Sequence, residues 1–160
     1  FPFILNQDQR RRKTLKLVVA GKKGWLYENL FSAVRELKLT EKVIFTDFVA
    51  DEDLPYLLSG ARLFVLPSLY EGFGLTALEA MACGAPVLVS KNSSLPEVVG
   101  ETGLYLENPE DLQEISQKVG QILDSRDLAA SLAKKGLEQA QKFSWEKCAK
   151  ETLETIKKAT

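Results

Sequence analysis

The 160-residue chain contains no histidine, and this absence excludes several classes of catalytic site. Without an imidazole, neither a Ser-His-Asp triad nor a Cys-His pair can form within the chain. Most zinc sites also use histidine or clustered cysteines, and the two cysteines, Cys83 and Cys148, stand far apart. We therefore expect no metal site, no cofactor and no histidine-activated nucleophile.

Other scarce features restrict the location and class of the protein. Two isolated cysteines give no disulfide pattern, which favours a reducing, cytoplasmic location. No apolar run approaches the roughly 18 residues of a membrane-spanning helix, and residues 1–5 are too short for a signal-peptide core. A net charge of −1 argues against a nucleic-acid partner. Because the chain begins without methionine, we expect a fragment or a processed part of a longer protein.

Short apolar segments alternate with amphipathic ones, at a spacing typical of an α/β fold. This alternation predicts one Rossmann-like half, a parallel sheet of about five strands with helices on both faces and further helices at the C-terminus. We expect one domain over residues 1–160. The predicted strands are residues 15–20, 43–45, 63–66, 86–90 and 104–106, and the predicted helices are residues 25–38, 54–59, 75–83, 109–123, 128–141 and 145–158, with a brief helix that starts in a capping box at Ser94.

The stretch 67–86 joins a strand end, a glycine-containing turn and a helix start. Gly72 and Gly74 lie in the turn, residues 75–83 form the predicted helix, and Gly84 ends it. Free N–H groups and the positive end of the helix dipole attract anions at such a helix start. The stretch therefore predicts an anion-binding site that needs no metal.

Candidate ligand-binding residues follow three of the predicted strands. Gly21, Thr46 and Glu71 each fall at the carboxyl end of a strand. In open parallel sheets, ligands bind at this edge. The positions of these residues therefore predict a common site without reference to any known family.

Several spaced motifs resemble the family-4 retaining glycosyltransferases, enzymes that consist of two Rossmann-like domains. Seven residues separate Glu71 and Glu79, the two glutamates of the central motif. The resemblance covers roughly residues 15–156 and matches only the C-terminal, donor-binding half of such enzymes, so we expect the N-terminal acceptor-binding domain to be missing here. The motifs are Glu71-Gly72-Phe73-Gly74-Leu75, Glu79-Ala80-Met81-Ala82-Cys83-Gly84 with Pro86-Val87, the run Ser94 to Gly100, and Phe143-Ser144-Trp145-Glu146.

The resemblance implies a full-length hexosyltransferase that moves a hexose from a nucleotide diphosphate sugar to a glycan, lipid or other acceptor. It makes Glu71 the catalytic residue that contacts the donor sugar, and it places Glu79 at the ribose hydroxyls. Residues 21–25 resemble mannosyltransferase-like members, so GDP-mannose is the predicted donor, over UDP- or ADP-sugars. The other predicted donor-binding residues are Gly21, Thr46, Gly72, Phe73, Gly74, Leu75 and Thr76.

Both glutamates are interpreted as acceptors of hydrogen bonds from hydroxyl groups, and neither as a nucleophile. For such folds, front-face displacement, with the leaving phosphate helping to deprotonate the acceptor, is the expected route. Two structural alternatives stand beside these roles. Thr76 to Glu79 also fits a capping box, and Phe73 fits a packing residue.

Two charged segments have both a functional and a structural interpretation. Asp51-Glu52-Asp53 resembles an Asp-x-Asp metal motif, but acidic residues are also favoured at the start of the helix that follows. Arg10-Arg11-Arg12-Lys13 is typical of a solvated lead-in, with contact to a phosphate or a lipid headgroup as the alternative.

The chain departs from the family pattern in two places. Asp47 stands where the family has glycine in the loop that meets the nucleotide base, so no base specificity is predicted from it. The family also places an Arg and a Lys that grip the diphosphate one helix upstream of the first strand, whereas Arg12 and Lys13 abut that strand. We therefore expect the fragment alone to be inactive.

The alternative function is a non-catalytic nucleotide-sugar-binding or interaction module on the same fold. A nucleotide-dependent dehydrogenase is disfavoured because no Gly-x-Gly-x-x-Gly follows the first strand. The predicted partners are the nucleotide sugar and the missing acceptor-binding domain. Peripheral association of the full-length enzyme with the inner face of the membrane is left open.

Overall fold

The structure, a computed structural model, describes residues 14–22 and 27–159. Strands and helices alternate, and the three strand pairings described are all parallel, which confirms the predicted α/β class. The elements in chain order are β1 Leu17–Ala20, α1 Tyr27–Glu36, β2 Val43–Asp47, α2 Leu54–Ser59, β3 Phe64–Leu66, α3 Leu75–Ala82, β4 Val87–Ser90, α4 Leu95–Val99, β5 Leu104–Leu106, α5 Leu112–Asp124, α6 Arg126–Ala140 and α7 Trp145–Ala159.

Hydrogen bonding arranges the five strands as a two-stranded sheet, β1-β2, and a three-stranded sheet, β3-β4-β5. The chain divides into two compact units, residues 1–54 and residues 55–160. The strand number in the described part of the chain therefore agrees with the predicted sheet of about five strands, and each unit contains one of the two smaller sheets.

In the first unit, α1 connects β1 to β2 and supplies their apolar contacts. The Phe31 and Phe45 rings lie 4.5 Å apart between centroids, at an interplanar angle of 43°. Val34 on α1 and Val43 at the start of β2 are buried. Burial of these apolar side chains stabilises the helix against the strand that follows it.

In the second unit, β4 lies between β3 and β5, and all four of its residues are buried. Three of the four, Val87, Leu88 and Val89, are apolar, as expected for a parallel strand that is covered on both faces. The helix α6 packs against α3, where a side chain on Gly136 would lie 3.3 Å from Met81 Cγ. Small residues at this crossing let the two helices approach closely.

The C-terminal helix α7 has no buried residue, and Trp145 at its start is 78% exposed. Ser144 precedes the helix, and its Oγ accepts a hydrogen bond from Lys147 N at 3.1 Å, as an N-cap residue does. Within residues 14–22 and 27–159, no helix combines the length and the apolar character that a membrane crossing requires.

Candidate functional site

A turn that we call the glycine turn, Glu71 to Gly74, connects β3 to α3. Gly74 is the N-cap of α3 and has φ 98° and ψ 38°, in the left-handed region. A Cβ at this position would lie 2.8 Å from Leu95 Cδ2. Glycine is therefore needed at position 74 for two reasons, the backbone conformation and the close approach of a buried leucine.

Consecutive N–H groups at the glycine turn and the start of α3 have no hydrogen-bond acceptor within the described residues. The first helical bonds are those from Ala77 N and Leu78 N to Gly74 O, at 3.0 and 3.1 Å. Unpaired N–H groups at a helix start carry the positive end of the helix dipole. This geometry suits an anion. The N–H groups concerned belong to Gly72, Phe73, Gly74, Leu75 and Thr76.

The Glu71 carboxylate is held by one of its two oxygens. Ser68 Oγ donates to Glu71 Oε1 at 2.8 Å, while Oε2 has no partner in the described part of the chain. The side chain is half-buried. An ionised carboxylate accepts several hydrogen bonds, so the second oxygen is available for a ligand hydroxyl.

Glu79 lies on the exposed surface of α3, and the capping-box interpretation of Thr76 to Glu79 is wrong. A capping box needs threonine at the N-cap, but α3 begins at Leu75 and its N-cap is Gly74, with no side-chain cap. Thr76 is therefore the second residue of the helix, and it is exposed. The ribose contact of Glu79 stays a prediction.

Residues 92–94, which follow β4, hold the glycine turn and the residues before it. Asn92 Nδ2 donates to Ser68 O and to Leu69 O, both at 3.0 Å. Ser93 Oγ accepts from Glu71 N at 3.0 Å. These contacts form because β3 and β4 run parallel, with Leu66 opposite Val89, so that the segments that follow them lie side by side.

Ser94 also contacts the glycine turn. The brief helix predicted to start here is confirmed, but the predicted capping box is wrong. Ser94 is the N-cap of α4, but its side chain makes no cap hydrogen bond. Ser94 Oγ instead donates to Phe73 O at 2.8 Å and lies 3.1 Å from Glu71 O. Sequence reasoning missed this role, although a run of small polar residues directly after a buried strand is a signal that could have indicated it.

Phe73 has the packing role that was its alternative interpretation. Its ring meets the Phe143 ring edge-on, with 6.0 Å between centroids and an interplanar angle of 79°. The side chain is still 40% exposed. The contact connects the glycine turn to the Phe143–Glu146 motif, and the contribution of Phe73 to donor binding stays a prediction.

Two further predicted site residues, Gly21 and Thr46, lie in the first unit. Gly21 follows β1 and donates through its N–H to Asp47 O at 3.0 Å, and Thr46 is the fourth residue of β2. Asp47 has φ 58°, a left-handed conformation that glycine adopts readily. Its own Oδ1 accepts from Phe48 N at 3.1 Å, a local bond that lets aspartate adopt this conformation.

The acidic residues Asp51, Glu52 and Asp53 are exposed in the turn before α2. Among residues 14–22 and 27–159, no group of three or more His, Cys, Asp or Glu side chains is arranged to hold a metal ion. The prediction that the site works without metal stays a prediction. The Arg10–Lys13 and Lys23–Trp25 segments lie outside the described residues.

A parallel α/β sheet with a glycine turn at the start of a helix, and a carboxylate beside that turn, defines a Rossmann-like ligand-binding unit. The chain belongs to the family described as Glycosyl transferases group 1, which it matches over residues 4–139. The resemblance seen in the motifs is thereby confirmed.

Two curated relatives within this family are similar to the chain in sequence. The chain is 42% identical over 146 residues to O-antigen chain mannosyltransferase B of Escherichia coli, which covers 91% of this chain and 38% of the relative. It is 39% identical over 129 residues to MMP alpha-(1->4)-mannosyltransferase of Mycolicibacterium hassiacum, which covers 79% of this chain and 31% of the relative. The chain thus spans less than two fifths of the length of these relatives.

Among solved structures, sucrose-phosphate synthase from Thermosynechococcus elongatus is similar to the chain with a TM-score of 0.83 and 30% identity. The match covers 99% of this chain and 42% of the synthase. The part of the synthase that the chain matches is therefore less than half of the length of the synthase.

Proposed function

We propose that the chain is the donor-binding domain of a retaining glycosyltransferase, which transfers a hexose from a nucleotide diphosphate sugar to an acceptor bound elsewhere in the full-length protein. The observation that carries this proposal is the run of N–H groups from Gly72 to Thr76, which have no acceptor among the described residues and adjoin the half-buried Glu71. Membership of the glycosyltransferase family restricts the chemistry of the ligand to that of a sugar donor.

The glycine turn supplies what the leaving group needs. Negative charge builds on the diphosphate as the glycosidic bond breaks, and fixed N–H dipoles stabilise that charge without reorganisation. The missing side chains at Gly72 and Gly74 let the donor approach the backbone closely. In this proposal the diphosphate is bound by backbone groups, so no metal ion is needed.

The two glutamates hold the organic parts of the donor. Glu71 Oε2 accepts from a hydroxyl of the sugar, which fixes the anomeric carbon toward the acceptor. Glu79, one helical turn beyond Leu75, accepts from the ribose hydroxyls. Transfer then proceeds at the front face, and the departing phosphate takes the proton of the acceptor hydroxyl.

Mannose is the proposed sugar, with GDP-mannose as the donor. Both curated relatives described above are named as mannosyltransferases, at 42% and 39% identity. These two names support mannose as the sugar, but they do not support GDP as the nucleotide, because neither name states a nucleotide.

The first prediction tests binding without metal. The chain should bind GDP and GDP-mannose in the presence of EDTA, because the ligands of the diphosphate are N–H groups. Titration calorimetry with and without added Mg²⁺ is the measurement, and UDP-glucose and ADP-glucose serve as comparisons for the donor. Binding that disappears on chelation would contradict the metal-free proposal, and a preference for another nucleotide sugar would exclude GDP-mannose.

The second prediction separates the roles of Thr76 and Glu79. Thr76→Pro should be tolerated, since proline fits the first helical turn and Thr76 N has no partner to lose among the described residues. Glu79→Ala should leave the melting temperature nearly unchanged and weaken nucleotide binding about tenfold, or about 1.4 kcal/mol.

Melting curves and nucleotide titrations of both variants provide the comparison. Ser125→Ala is the control for a true cap, because Ser125 Oγ accepts from Leu128 N at 3.1 Å at the start of α6. It should lose about 0.5–2 kcal/mol of stability and keep its nucleotide affinity. A Glu79→Ala variant that is destabilised and still binds normally would overturn the ribose contact.

A further inference from the structure

The side chain of Ser94 reaches back over more than twenty residues to two carbonyl groups of the glycine turn. Its Oγ lies 2.8 Å from Phe73 O and 3.1 Å from Glu71 O, and it is part-buried. A hydroxyl has one hydrogen, so the two carbonyls share it or alternate as acceptors. Both carbonyls are thereby held on the side of the turn that faces Ser94.

The position of these carbonyls fixes the direction of two N–H groups. The peptide bonds of the described chain are trans and planar, so each C=O points opposite to the N–H of the same peptide unit. Glu71 O shares its unit with Gly72 N, and Phe73 O shares its unit with Gly74 N. When Ser94 holds the two carbonyls, the two glycine N–H groups must point away from Ser94.

These are two of the N–H groups that have no acceptor in the described part of the chain. Gly74 is buried, and a buried N–H without a partner is rare in folded proteins. The same serine therefore satisfies the carbonyl side of the turn and leaves its N–H side free for an anion. Just before the two carbonyls in the chain, Glu71 N donates to Ser93 Oγ at 3.0 Å.

The segment that carries Ser94 is itself held in a constrained conformation. Ser93 has φ 45°, which non-glycine residues rarely adopt. Such a backbone conformation persists when surrounding contacts fix it, and residues in conformations of this kind cluster at functional sites. Here the fixing contacts are those of Asn92 with Ser68 O and Leu69 O, and that of Ser93 with Glu71 N.

We propose that Ser94 is a positioning residue for diphosphate binding, which acts by turning the Gly72 and Gly74 N–H groups toward the anion. Ser94 does not touch the ligand in this proposal. The inference rests on the proposed function for the identity of the natural ligand, but the anion site itself can be tested with inorganic pyrophosphate.

The experiment is a pyrophosphate titration of the ¹⁵N-labelled chain in EDTA, followed by NMR through the amide signals of Gly72 and Gly74. In the wild type both signals should shift on binding. Ser94→Ala should need about tenfold more pyrophosphate for the same shift, whereas Ser94→Thr, which keeps the hydroxyl, should stay within about threefold of wild type.

Ser125→Ala is the matched control, since it removes a serine hydroxyl that caps α6 and contacts no part of the glycine turn. It should lower the melting temperature and leave the pyrophosphate titration unchanged. A Ser94→Ala variant that behaves in the same way would show a merely structural serine and would overturn the proposal. So would wild-type Gly72 and Gly74 signals that do not respond to pyrophosphate.

A parallel titration with GDP-mannose and UDP-glucose separates this proposal from the proposed function. If pyrophosphate behaves as expected and no nucleotide sugar binds, the role of Ser94 stands and the donor-binding function is wrong. If nucleotide sugars bind equally well to wild type and Ser94→Ala, the function stands and the role of Ser94 is wrong.

Discussion

Replacing Gly74 by alanine is expected to lower the free energy of unfolding by about 2–5 kcal/mol. The left-handed conformation of this residue, with φ 98°, costs a side-chain-bearing residue roughly 1–2 kcal/mol. The added Cβ would also lie 2.8 Å from Leu95 Cδ2, and overpacking of this kind costs typically about 1–3 kcal/mol. Urea denaturation followed by circular dichroism measures the total loss of unfolding free energy from these two effects.

Gly72→Ala is the matched control in the same turn. A Cβ on Gly72 would meet no atom of the described residues within 4 Å, and Gly72 is not among the glycines with a positive φ. This variant should stay within about 0.5 kcal/mol of wild type in stability. It should nevertheless bind the nucleotide sugar more weakly, because the methyl group occupies the space through which the donor approaches the backbone. Equal stability losses in both variants would show that the conformation of Gly74 is not what requires glycine.

Glu71→Gln is expected to weaken nucleotide-sugar binding by about 1–3 kcal/mol, or tenfold for each 1.4 kcal/mol. The substitution keeps the shape of the side chain and the oxygen that accepts from Ser68 Oγ at 2.8 Å. It converts the free oxygen into an NH₂ donor, which leaves a hydroxyl of the sugar without its acceptor. The comparison of GDP-mannose with GDP by titration calorimetry isolates this effect.

The loss should appear for GDP-mannose and be small for GDP, which lacks the sugar that Glu71 contacts. Glu110→Gln, at an exposed position shortly before α5, is the control for the change of one charge and should alter neither affinity. Equal losses for GDP and GDP-mannose in Glu71→Gln would show that Glu71 does not face the sugar. The proposed role of Glu71 in holding the sugar would then be wrong.

The glycine turn is a site in which local and non-local interactions have separate tasks. The free N–H groups come from the start of α3 and need only the local backbone. In our proposal their direction depends on Ser94, which donates to Phe73 O, while Ser93 accepts a hydrogen bond from Glu71 N. The proposal therefore implies that a substitution in residues 92–94 changes ligand affinity without removing a direct ligand contact.

The sequence by itself determined the fold class and the family, and it indicates where along the chain the proposed anion site lies. Alternating apolar and amphipathic segments indicate parallel strands and helices, because a short continuous apolar run and a period of 3.6 residues are both local properties of the chain. The two glycines of the turn and the two glutamates lie within nine consecutive residues, 71–79, so their pattern is legible without any tertiary contact.

The start of α3 at Leu75 was predicted from the sequence, but only the tertiary structure decided how the helix is capped and what holds the turn. The capping boxes expected at Thr76 and Ser94 are legitimate local alternatives, and local energies alone do not choose between them and other caps. Gly74 is the N-cap of α3, and its backbone lies so close to Leu95 that a Cβ would be 2.8 Å from Leu95 Cδ2. Ser94 makes no cap hydrogen bond at α4, and its hydroxyl instead donates to Phe73 O. The partners lie more than twenty residues apart in sequence and meet because the parallel register of β3 and β4 brings the ends of both strands to one edge.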